Sequence, residues 1–358
     1  MLSTPRRWSD VTPEWMSRAL AARFPGAVVG DVRTLDAADG TNARARLRLR
    51  YRGGCGPERV FVKREGTLLN RLALTALGAR ETEARLACCG ERLPLEVPDL
   101  YASAVDRRRL AAVVVMEDVT LRGARPHDAT TPLAIESVHS GLAGLARLHA
   151  AHWDRPLPAD LAFVRPWRLG ASWAPVSWAS LLNARHRLRA LGHADLLPRC
   201  AGPAAVERGF RRWGALAARG PQTLLHGDPH PGNTYGLPDG TTGFYDWQLI
   251  RSGTWAHDVG YFVVSSLAVA DRRAHDRELL DGYLAELARH GVRDLDRDDA
   301  WALYRRSPVF GLASWLHTLS GGGFQPVETC LVTIERFAAA HADHQPAKRR
   351  QAGRLRPG

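Results

Sequence analysis

The chain has 358 residues, of which 45% are hydrophobic and 24% are charged. This composition is typical of a globular protein and argues against a wholly disordered one. The net charge is +12, but no stretch interleaves basic and aromatic residues as nucleic-acid modules do, and no apolar run approaches the roughly 20 residues that span a bilayer. The five cysteines show no CxxC spacing, which argues against a disulfide framework or a zinc site. We therefore expect a protein of the reducing cytoplasm, with neither nucleic acid nor membrane as a partner.

A helix is expected near the start of the chain, within residues 1–27, and we expect it to pack on the part that follows. Thr12 can cap its first turn, Pro13 suits that turn, and Glu14 places a negative charge at the positive end of the helix dipole. The dipeptide Pro25-Gly26 then ends this N-terminal segment.

Residues 28–119 are dominated by strand patterns. Between residues 44 and 51 arginines alternate with apolar residues, which predicts a strand with one buried face. The expected elements are, in order, strands over residues 44–51 and 60–63, a helix over 68–86, and strands near 100–105 and 110–116. Together they predict a small, mostly antiparallel sheet that carries one helix.

Residues 120–342 are predicted to be mainly helical. The expected elements are helices over residues 135–152, within 165–219 and over 273–290, with loops and short strands over 222–250. Residues 343–358 are basic and are expected to form a disordered tail. The chain is therefore expected to have an α+β, bilobal fold, with a hinge near residues 117–121 between a sheet-containing N-terminal lobe and a larger helical lobe.

Residues 226–233, with the sequence HGDPHPGN, carry the strongest chemical pattern in the chain. Asp228 is followed five residues later by Asn233 and thirteen residues after that by Asp246, which reproduces the spacing of the catalytic residues of kinases. Phosphoryl transfer needs an acidic group that orients the attacking hydroxyl and accepts its proton, and oxygen ligands that hold Mg²⁺ against the phosphates. Asp228 fits the first role, whereas Asn233 and Asp246 fit the second.

Lys63 is a second candidate because lysine is rare in this chain: of 49 basic residues only Lys63 and Lys348 are lysines. A lysine on a strand is usually a surface residue, but its compact ammonium group suits nucleotide phosphates better than a planar guanidinium does. Such a lysine needs an acidic partner to hold it in place. Glu81 and Glu83 are both candidates, and they lie on different faces of the expected helix.

A turn and a further acidic residue complete the pattern. Gly40, Thr41 and Asn42 lie between two expected strands, where backbone N–H groups can cover phosphates, although one glycine by itself marks no more than a turn. Asp258 follows the kinase-like residues and is expected to tie the catalytic loop down rather than to take part in catalysis. Gly227, rather than an arginine, precedes Asp228, which argues against a protein kinase.

Five segments together resemble the aminoglycoside phosphotransferase and choline kinase superfamily, and within it most closely the ecdysteroid-kinase-like branch. The segments are VFVKR (60–64), VMED (115–118), LARLHA (145–150), HGDPHPGN (226–233) and YDWQ (245–248). The resemblance implies a bilobal protein-kinase-like fold. It also implies ATP or GTP as the phosphate donor, Mg²⁺ as the cofactor and a hydroxyl group of a small molecule as the acceptor.

The resemblance carries roles over to single residues of this chain. It implies that Asp228 is the catalytic aspartate and that Asn233 and Asp246 bind Mg²⁺. Around the nucleotide it implies a phosphate loop at Gly40, Thr41 and Asn42, a pair formed by Lys63 and Glu81, and a base pocket at Met116, Glu117 and Val119. Backbone groups of the last two would meet the edge of the base. The register of the resemblance is what favours Glu81 over Glu83.

The acceptor is expected to be neutral, anionic or lipophilic. Residues 151–220, which the implied fold places beside the acceptor, contain four acidic residues against eleven arginines, together with five tryptophans. A polycation needs carboxylates around it, and tryptophans favour apolar surfaces. An aminoglycoside-type kinase is the alternative, as is a kinase fold that binds ligands without catalysis. A basic protein associated with nucleic acid is the third possibility.

Overall fold

The smaller lobe is built on a five-stranded antiparallel sheet. The computed structural model describes residues 2–39, 42–89, 92–167, 173–197, 200 and 202–344. The strands are β1 (Val28–Asp39), β2 (Asn42–Gly53), β3 (Arg59–Glu65), β4 (Leu100–Asp106) and β5 (Ala111–Glu117). Their order in the sheet is β1-β2-β3-β5-β4, so that the two strands implied at the nucleotide, β3 and β5, are neighbours.

The alternation in the sequence of β2 matches the burial of its side chains. Ala45, Leu47 and Leu49 are buried in the core of the lobe, and the residues between them face the other side of the sheet. Because successive side chains of a strand point to opposite faces, the arginines of β2 share one face. The predicted strand is therefore confirmed, with its apolar face towards the core.

The N-terminal helix α1 (Pro13–Leu20) covers the apolar face of this sheet. It begins as expected, since the Thr12 hydroxyl oxygen accepts a hydrogen bond from the N–H of Trp15 at 3.2 Å. Trp15 and Leu20 are buried against the strands. The first residues of the chain thus contribute to the core of the smaller lobe.

Two short helices lie on the opposite face of the sheet, where the sequence predicted one long helix. They are α2 (Leu68–Ala76) and α3 (Thr82–Leu86). Gly78 between them has φ +67°, in the left-handed region that ends a helix. The single helix over residues 68–86 is therefore wrong, and Glu81 lies ahead of the first turn of α3.

The larger lobe is mainly helical, and its interior is formed around α7. Its helices are α4 (Ile135–Ala151), α5 (Trp173–Ala190), α6 (Pro203–Ala217), α7 (Ala256–Ser266), α8 (Val269–Arg289), α9 (Arg297–Tyr304), α10 (Pro308–Gly321) and α11 (Val327–His344). Every residue of α7 is buried. None of the helices in the described part of the chain is long and apolar enough to cross a membrane.

Short strands of the larger lobe form two small three-stranded sheets. The strands are β6 (Arg125–Pro126), β7 (Arg165–Pro166), β8 (Thr223–Leu225), β9 (Thr234–Gly236), β10 (Thr242–Phe244) and β11 (Arg251–Gly253). The sheet orders are β10-β9-β6 and β7-β11-β8. The loops after β8 and β10 carry the kinase-like residues, so these two small sheets position the candidate site.

The last helix runs further than the sequence predicted. Asp343, expected at the start of the disordered tail, belongs to α11 and forms ion pairs with Arg272 and Arg273 of α8. The rest of the expected tail, residues 345–358, lies outside the described residues. The larger lobe therefore extends through His344.

Candidate active site

A cavity of about 510 Å³ lies between the two lobes. Strands β2 and β3 form its upper wall, the chain that follows β5 forms one end, and the loops after β8 and β10 form its floor. The predicted site residues that line it are Asn42, Lys63, Met116, Glu117, Val119, Asp228, Asn233 and Asp246. The predicted phosphate-loop residues Gly40 and Thr41 lie outside the described residues.

Lys63 lies on β3, and its ammonium group is buried between two carboxylates. Its Nζ atom is 2.7 Å from Oε2 of Glu83 and 2.5 Å from Oδ1 of Asp246. Burial disfavours the charge of Lys63, but the carboxylates outweigh it and raise the pKa of Lys63 above its ordinary 10.5. Burial opposes the charge of Asp246 as well, and there Lys63 prevails and lowers the pKa below 3.8. Both groups are therefore charged at neutral pH.

The expected pairing of Lys63 with Glu81 is wrong, and Glu83 takes its place. Glu81 contacts arginines instead: it binds Arg80 beside it, and its Oε2 lies 3.3 Å from Nε of Arg107. The break before α3 explains the difference, because it leaves Glu81 outside the helix and turns Glu83 towards β3. Glu81 does not line the cavity.

The loop after β8 holds Asp228 at the floor of the cavity. Asp258 on α7 accepts hydrogen bonds from the backbone N–H groups of His226 at 2.7 Å and Gly227 at 3.0 Å, which ties the loop down as expected. Gly227 has φ +88°, and a Cβ atom there would lie 2.1 Å from the carbonyl oxygen of Leu249. Only glycine fits at this position.

Asp228 is held by neighbours that also tune its acidity. The side-chain Nδ2 of Asn233 donates to the backbone oxygen of Asp228 at 2.9 Å and lies 3.4 Å from its Oδ2. Burial raises the pKa of Asp228 to about 8; the hydroxyl of Tyr261 opposes this by donating a hydrogen bond, and the carboxylates of Asp246 and Asp258 add to it. A carboxylate with a raised pKa is a better proton acceptor than an ordinary one.

Asp246 has a strained backbone. It follows the β9–β10 hairpin with φ +65°, a conformation that costs a residue other than glycine on the order of 1–3 kcal/mol. Two contacts hold it there: the ion pair with Lys63, and the N–H of the next residue, Trp247, which donates to Oε1 of Glu83 at 3.1 Å. This backbone conformation directs the carboxylate of Asp246 towards Lys63.

Asn233 and Asp246 offer the donor atoms that Mg²⁺ prefers. One oxygen of Asp246 binds Lys63, and no other described residue forms a hydrogen bond with its Oδ2 or with Oδ1 of Asn233. Mg²⁺ in phosphoryl-transfer sites usually takes one or two protein oxygens and completes its shell with water and phosphate. Among the described residues, no group of three or more His, Cys, Asp or Glu side chains is arranged to hold a metal. The oxygens of Asn233 and Asp246 would thus suit an Mg²⁺ ion that takes its other ligands from water and phosphate.

The end of the cavity near the hinge is lined by Met116, Glu117 and Val119. Met116 packs with Phe61 of β3, so that both apolar side chains lie at this end. The backbone N–H of Glu117 donates to the carbonyl oxygen of Asp99 at 2.8 Å. This N–H is therefore engaged, and any contact between the Glu117 backbone and a base must use its carbonyl oxygen.

Gln248 joins the two lobes, and the sequence did not single out this role. Nδ2 of Asn42 on β2 donates to Oε1 of Gln248 at 2.7 Å, and the backbone oxygen of Gln248 accepts a hydrogen bond from the hydroxyl of Thr82. Gln248 stands in the YDWQ segment, whose pattern pointed to Asp246 alone. Nothing local in the sequence signals a contact between residues 206 positions apart.

Loops of the larger lobe line the part of the cavity beyond Asp228. Residues 126–129 and the stretch from 324 to 329 contribute side chains there, and Ala129 lies close to Gly232 of the catalytic loop. No described residue between 151 and 220 lines the cavity. The described part of the expected acceptor wall therefore lies outside this cavity, and its charge count does not describe the cavity lining.

Comparisons with known proteins identify the family and the fold of the chain. A family model, "Phosphotransferase enzyme family" (APH), matches residues 47–301, well over half of the chain. The choline kinase LicA of Streptococcus pneumoniae has a similar fold: TM-score 0.50, 14% identity, 92% of this chain and 98% of that chain covered. The structure of LicA in complex with AMP gives a TM-score of 0.51 at 14% identity and covers 93% of this chain and 99% of that chain. An ethanolamine kinase of Plasmodium vivax gives a TM-score of 0.51 at 13% identity and covers 86% of this chain and 81% of that chain. No curated protein matches the chain in sequence.

Proposed function

Because the chain belongs to the phosphotransferase enzyme family and is a small-molecule kinase, we propose that it transfers the γ-phosphate of ATP to a hydroxyl group of its acceptor. GTP is the alternative donor. The observation that carries the proposal is the convergence of Lys63, Asp228, Asn233 and Asp246 on one cavity between the lobes. A charged lysine, a carboxyl group with a raised pKa and two free oxygen ligands are the groups that phosphoryl transfer requires.

In the proposed mechanism Asp228 orients the acceptor hydroxyl and takes its proton as the hydroxyl oxygen attacks the γ-phosphorus. The bond between the γ-phosphorus and the oxygen that bridges to the β-phosphate breaks, and ADP leaves with that electron pair. Asn233 keeps Asp228 in place through its amide, and Lys63 offsets the charge of the phosphates. Asn233 and Asp246 would hold Mg²⁺, whose positive charge would stabilise the phosphate oxygens.

The charges around the cavity favour a neutral or cationic acceptor. Of the described residues that line it, seven are acidic and three are basic. The acidic residues are Asp36, Glu83, Glu117, Asp118, Asp128, Asp228 and Asp246; the basic residues are Arg44, Arg46 and Lys63. On the loops beyond Asp228, residues 126–129 and 324–329, the described lining residues include the acid Asp128 and no lysine or arginine, so an anionic alcohol would meet a negative charge there with no cation to offset it. We therefore propose a neutral or cationic alcohol, which retains the neutral class expected from the sequence and sets its anionic class aside.

The cysteines support a place in the cytoplasm. Cys55, Cys88, Cys200 and Cys330 are free thiols, and the first two of them are exposed. Exposed thiols persist in the reducing compartment in which ATP is also available.

Release of ADP in the presence of a panel of hydroxylated compounds tests the proposal. We expect the wild-type protein to form ADP and phosphorylated product in equal amounts with at least one neutral or cationic alcohol. The Asp228→Asn variant should bind nucleotide but turn over at least 100-fold more slowly, since it cannot accept the proton. Nucleotide binding without turnover on any alcohol would instead indicate a binding module. Near-normal turnover by Asp228→Asn would remove Asp228 from the mechanism.

A further inference from the structure

Arg44 of β2 lines the cavity in the same region as Lys63 and Asn42. In the β2–β3 ladder Arg44 lies directly opposite Lys63, and residues opposite each other in an antiparallel pair point to the same face of the sheet. The Arg44 side chain is exposed and forms no hydrogen bond or ion pair with any described residue. As far as the described residues show, it is therefore a cation without a counter-charge, beside the lysine that is proposed to meet the phosphates.

The neighbouring arginines on this face of β2 are engaged differently. Arg46 also lines the cavity, but its guanidinium lies 3.6 Å from Asp36 and 3.7 Å from Asp118. Arg48 lies 3.8 Å from Glu58 and does not line the cavity. Of these three arginines, only Arg44 faces the cavity with no acidic partner among the described side chains.

The charges near Lys63 leave a requirement that Arg44 can meet. Lys63 contacts two carboxylates, Glu83 and Asp246, and the carboxyl group of Asp228 lies on the same cavity. These groups carry one positive charge against two or three negative ones, so on their own they repel the phosphates of a nucleotide. Mg²⁺ would offset part of this repulsion, and the guanidinium of Arg44, on the same wall as Lys63, would offset more.

The ladder between β2 and β3 places Arg44 near the phosphate end of the cavity. Arg44 lies opposite Lys63, whose Nζ is 2.5 Å from Oδ1 of Asp246, a proposed Mg²⁺ ligand. Arg44, Lys63 and Asp246 all line the same cavity. The guanidinium of Arg44 is therefore close to the segment that would hold the metal and the phosphates.

We propose that Arg44 binds the phosphate chain of the donor nucleotide, an inference that rests on the proposed function. A guanidinium presents two parallel N–H donors that match two phosphate oxygens. Arg44 is then a second phosphate-binding cation, supplied by β2, in addition to Lys63 on β3. The arginine pattern of β2, which in the sequence marked only the polar face of a strand, thus reaches into the donor site.

Binding of ADP and of adenosine to the full chain, measured by calorimetry in buffer with Mg²⁺, separates contacts to phosphate from contacts to the base. We expect Arg44→Ala to weaken ADP binding about tenfold and to leave adenosine binding unchanged, because only the charge-assisted contact is lost. Arg44→Lys should recover part of the loss. Arg48→Ala, on the same face but outside the cavity, is the matched control and should bind both ligands as the wild type does. Arg44→Gln serves in place of the alanine variant if that variant is unstable.

The outcomes separate this inference from the proposed function. An Arg44→Ala variant with wild-type affinity for ADP overturns the inference and leaves the proposed kinase activity standing. An equal loss of ADP and adenosine affinity also overturns it, because the substitution would then disturb the whole lobe. If the wild-type protein binds ADP no more tightly than adenosine, the inference and the nucleotide part of the proposed function fall together.

Discussion

The carboxyl group of Asp228 keeps its proton to about pH 8 in the folded protein, mainly because burial disfavours the charged form. The ordinary pKa of an aspartate is 3.8, so between these two values the folded chain binds this proton more tightly than the unfolded chain does. The stability that this proton contributes is fully present below about pH 4 and is lost as the pH rises through about 8. The charge that catalysis needs is thus obtained at the expense of stability.

Replacing this carboxyl group with an amide should stabilise the protein at alkaline pH. We expect Asp228→Asn to raise the free energy of unfolding at pH 8.5 by on the order of 1–2 kcal/mol, with the difference shrinking towards pH 4.5. This value is below that of the full shift, because the side chain keeps 23% exposure and water solvates its charge. Urea unfolding at pH 4.5, 6.5 and 8.5 measures the effect. A difference that does not change with pH would mean that Asp228 titrates as an ordinary carboxyl group.

The two glutamates near Lys63 provide a matched pair of variants. Glu83→Gln removes one of the two charges that hold Lys63, so we expect kcat/KM for ATP to fall at least tenfold. Glu81→Gln makes the same chemical change two positions away, where the side chain contacts arginines outside the cavity, and should change kcat/KM less than twofold. Steady-state kinetics on both variants decides the assignment. A larger loss in Glu81→Gln than in Glu83→Gln would reverse it.

At the scale of elements, three helices meet beneath the catalytic loop. Asp258 of α7 binds the loop backbone, and Nε2 of His149 on α4 lies 3.3 Å from its Oδ2. The other ring nitrogen of His149 lies 2.8 Å from the hydroxyl of Tyr283 on α8. The position of Asp228 is therefore fixed by side chains from α4, α7 and α8 that do not line the cavity themselves.

Asp258→Asn should damage both stability and turnover. An amide at this buried position turns an N–H₂ group towards backbone N–H donors, and we expect a loss of roughly 3 kcal/mol in the free energy of unfolding and at least a tenfold fall in kcat. Asp276→Asn is the control, since it disturbs a buried ion pair with Arg272 that is remote from the cavity. It should lower stability without lowering kcat in the protein that remains folded. If both variants lose stability and neither loses kcat, Asp258 does not position the loop.

Elements that depend on short-range patterns were predictable from the sequence. The alternation of β2 identifies a strand with one buried face because side-chain direction depends only on adjacent residues. The break between α2 and α3 was not predictable in the same way, since Gly78 stands among good helix formers and a single glycine is tolerated in many helices. The wrong choice of Glu81 follows from that missing break.

In the candidate site, too, residues close together in the chain were predictable and contacts between distant segments were not. Asp228, Asn233 and Asp246 lie within one loop and the hairpin after it, so their spacing was enough to predict that they meet. Glu83 and Gln248 act across elements that are distant in the chain, and their contacts depend on how the lobes pack. The walls beyond Asp228 also come from two distant loops, residues 126–129 and 324–329, and nothing in the local sequence of either loop signals that they meet there.

At the scale of the whole molecule, the charge of the chain and the charge of its cavity have opposite signs. The chain carries a net charge of +12, whereas the described residues that line the cavity have a balance of three basic against seven acidic. Many of the arginines lie on the outer surface or in ion pairs, such as Arg48 with Glu58. The net charge therefore describes the surface of this protein and gives no guide to its acceptor.

Acceptors of equal size and different charge test this local balance. With ethanolamine, ethylene glycol and glycolate as a two-carbon series, we expect the cationic and neutral alcohols to be phosphorylated at least tenfold more efficiently than the anionic one, because the carboxylates around the cavity repel a further negative charge. Asp128 lies on the wall beyond Asp228 and is exposed, so Asp128→Asn should narrow the gap between ethanolamine and glycolate. Asp294→Asn, which removes an exposed acid outside the cavity, should leave the gap unchanged. Measurement of kcat/KM for the three alcohols at low and high salt completes the test, since screening should also narrow the gap. Preferred phosphorylation of glycolate would show that the acidic lining does not face the acceptor.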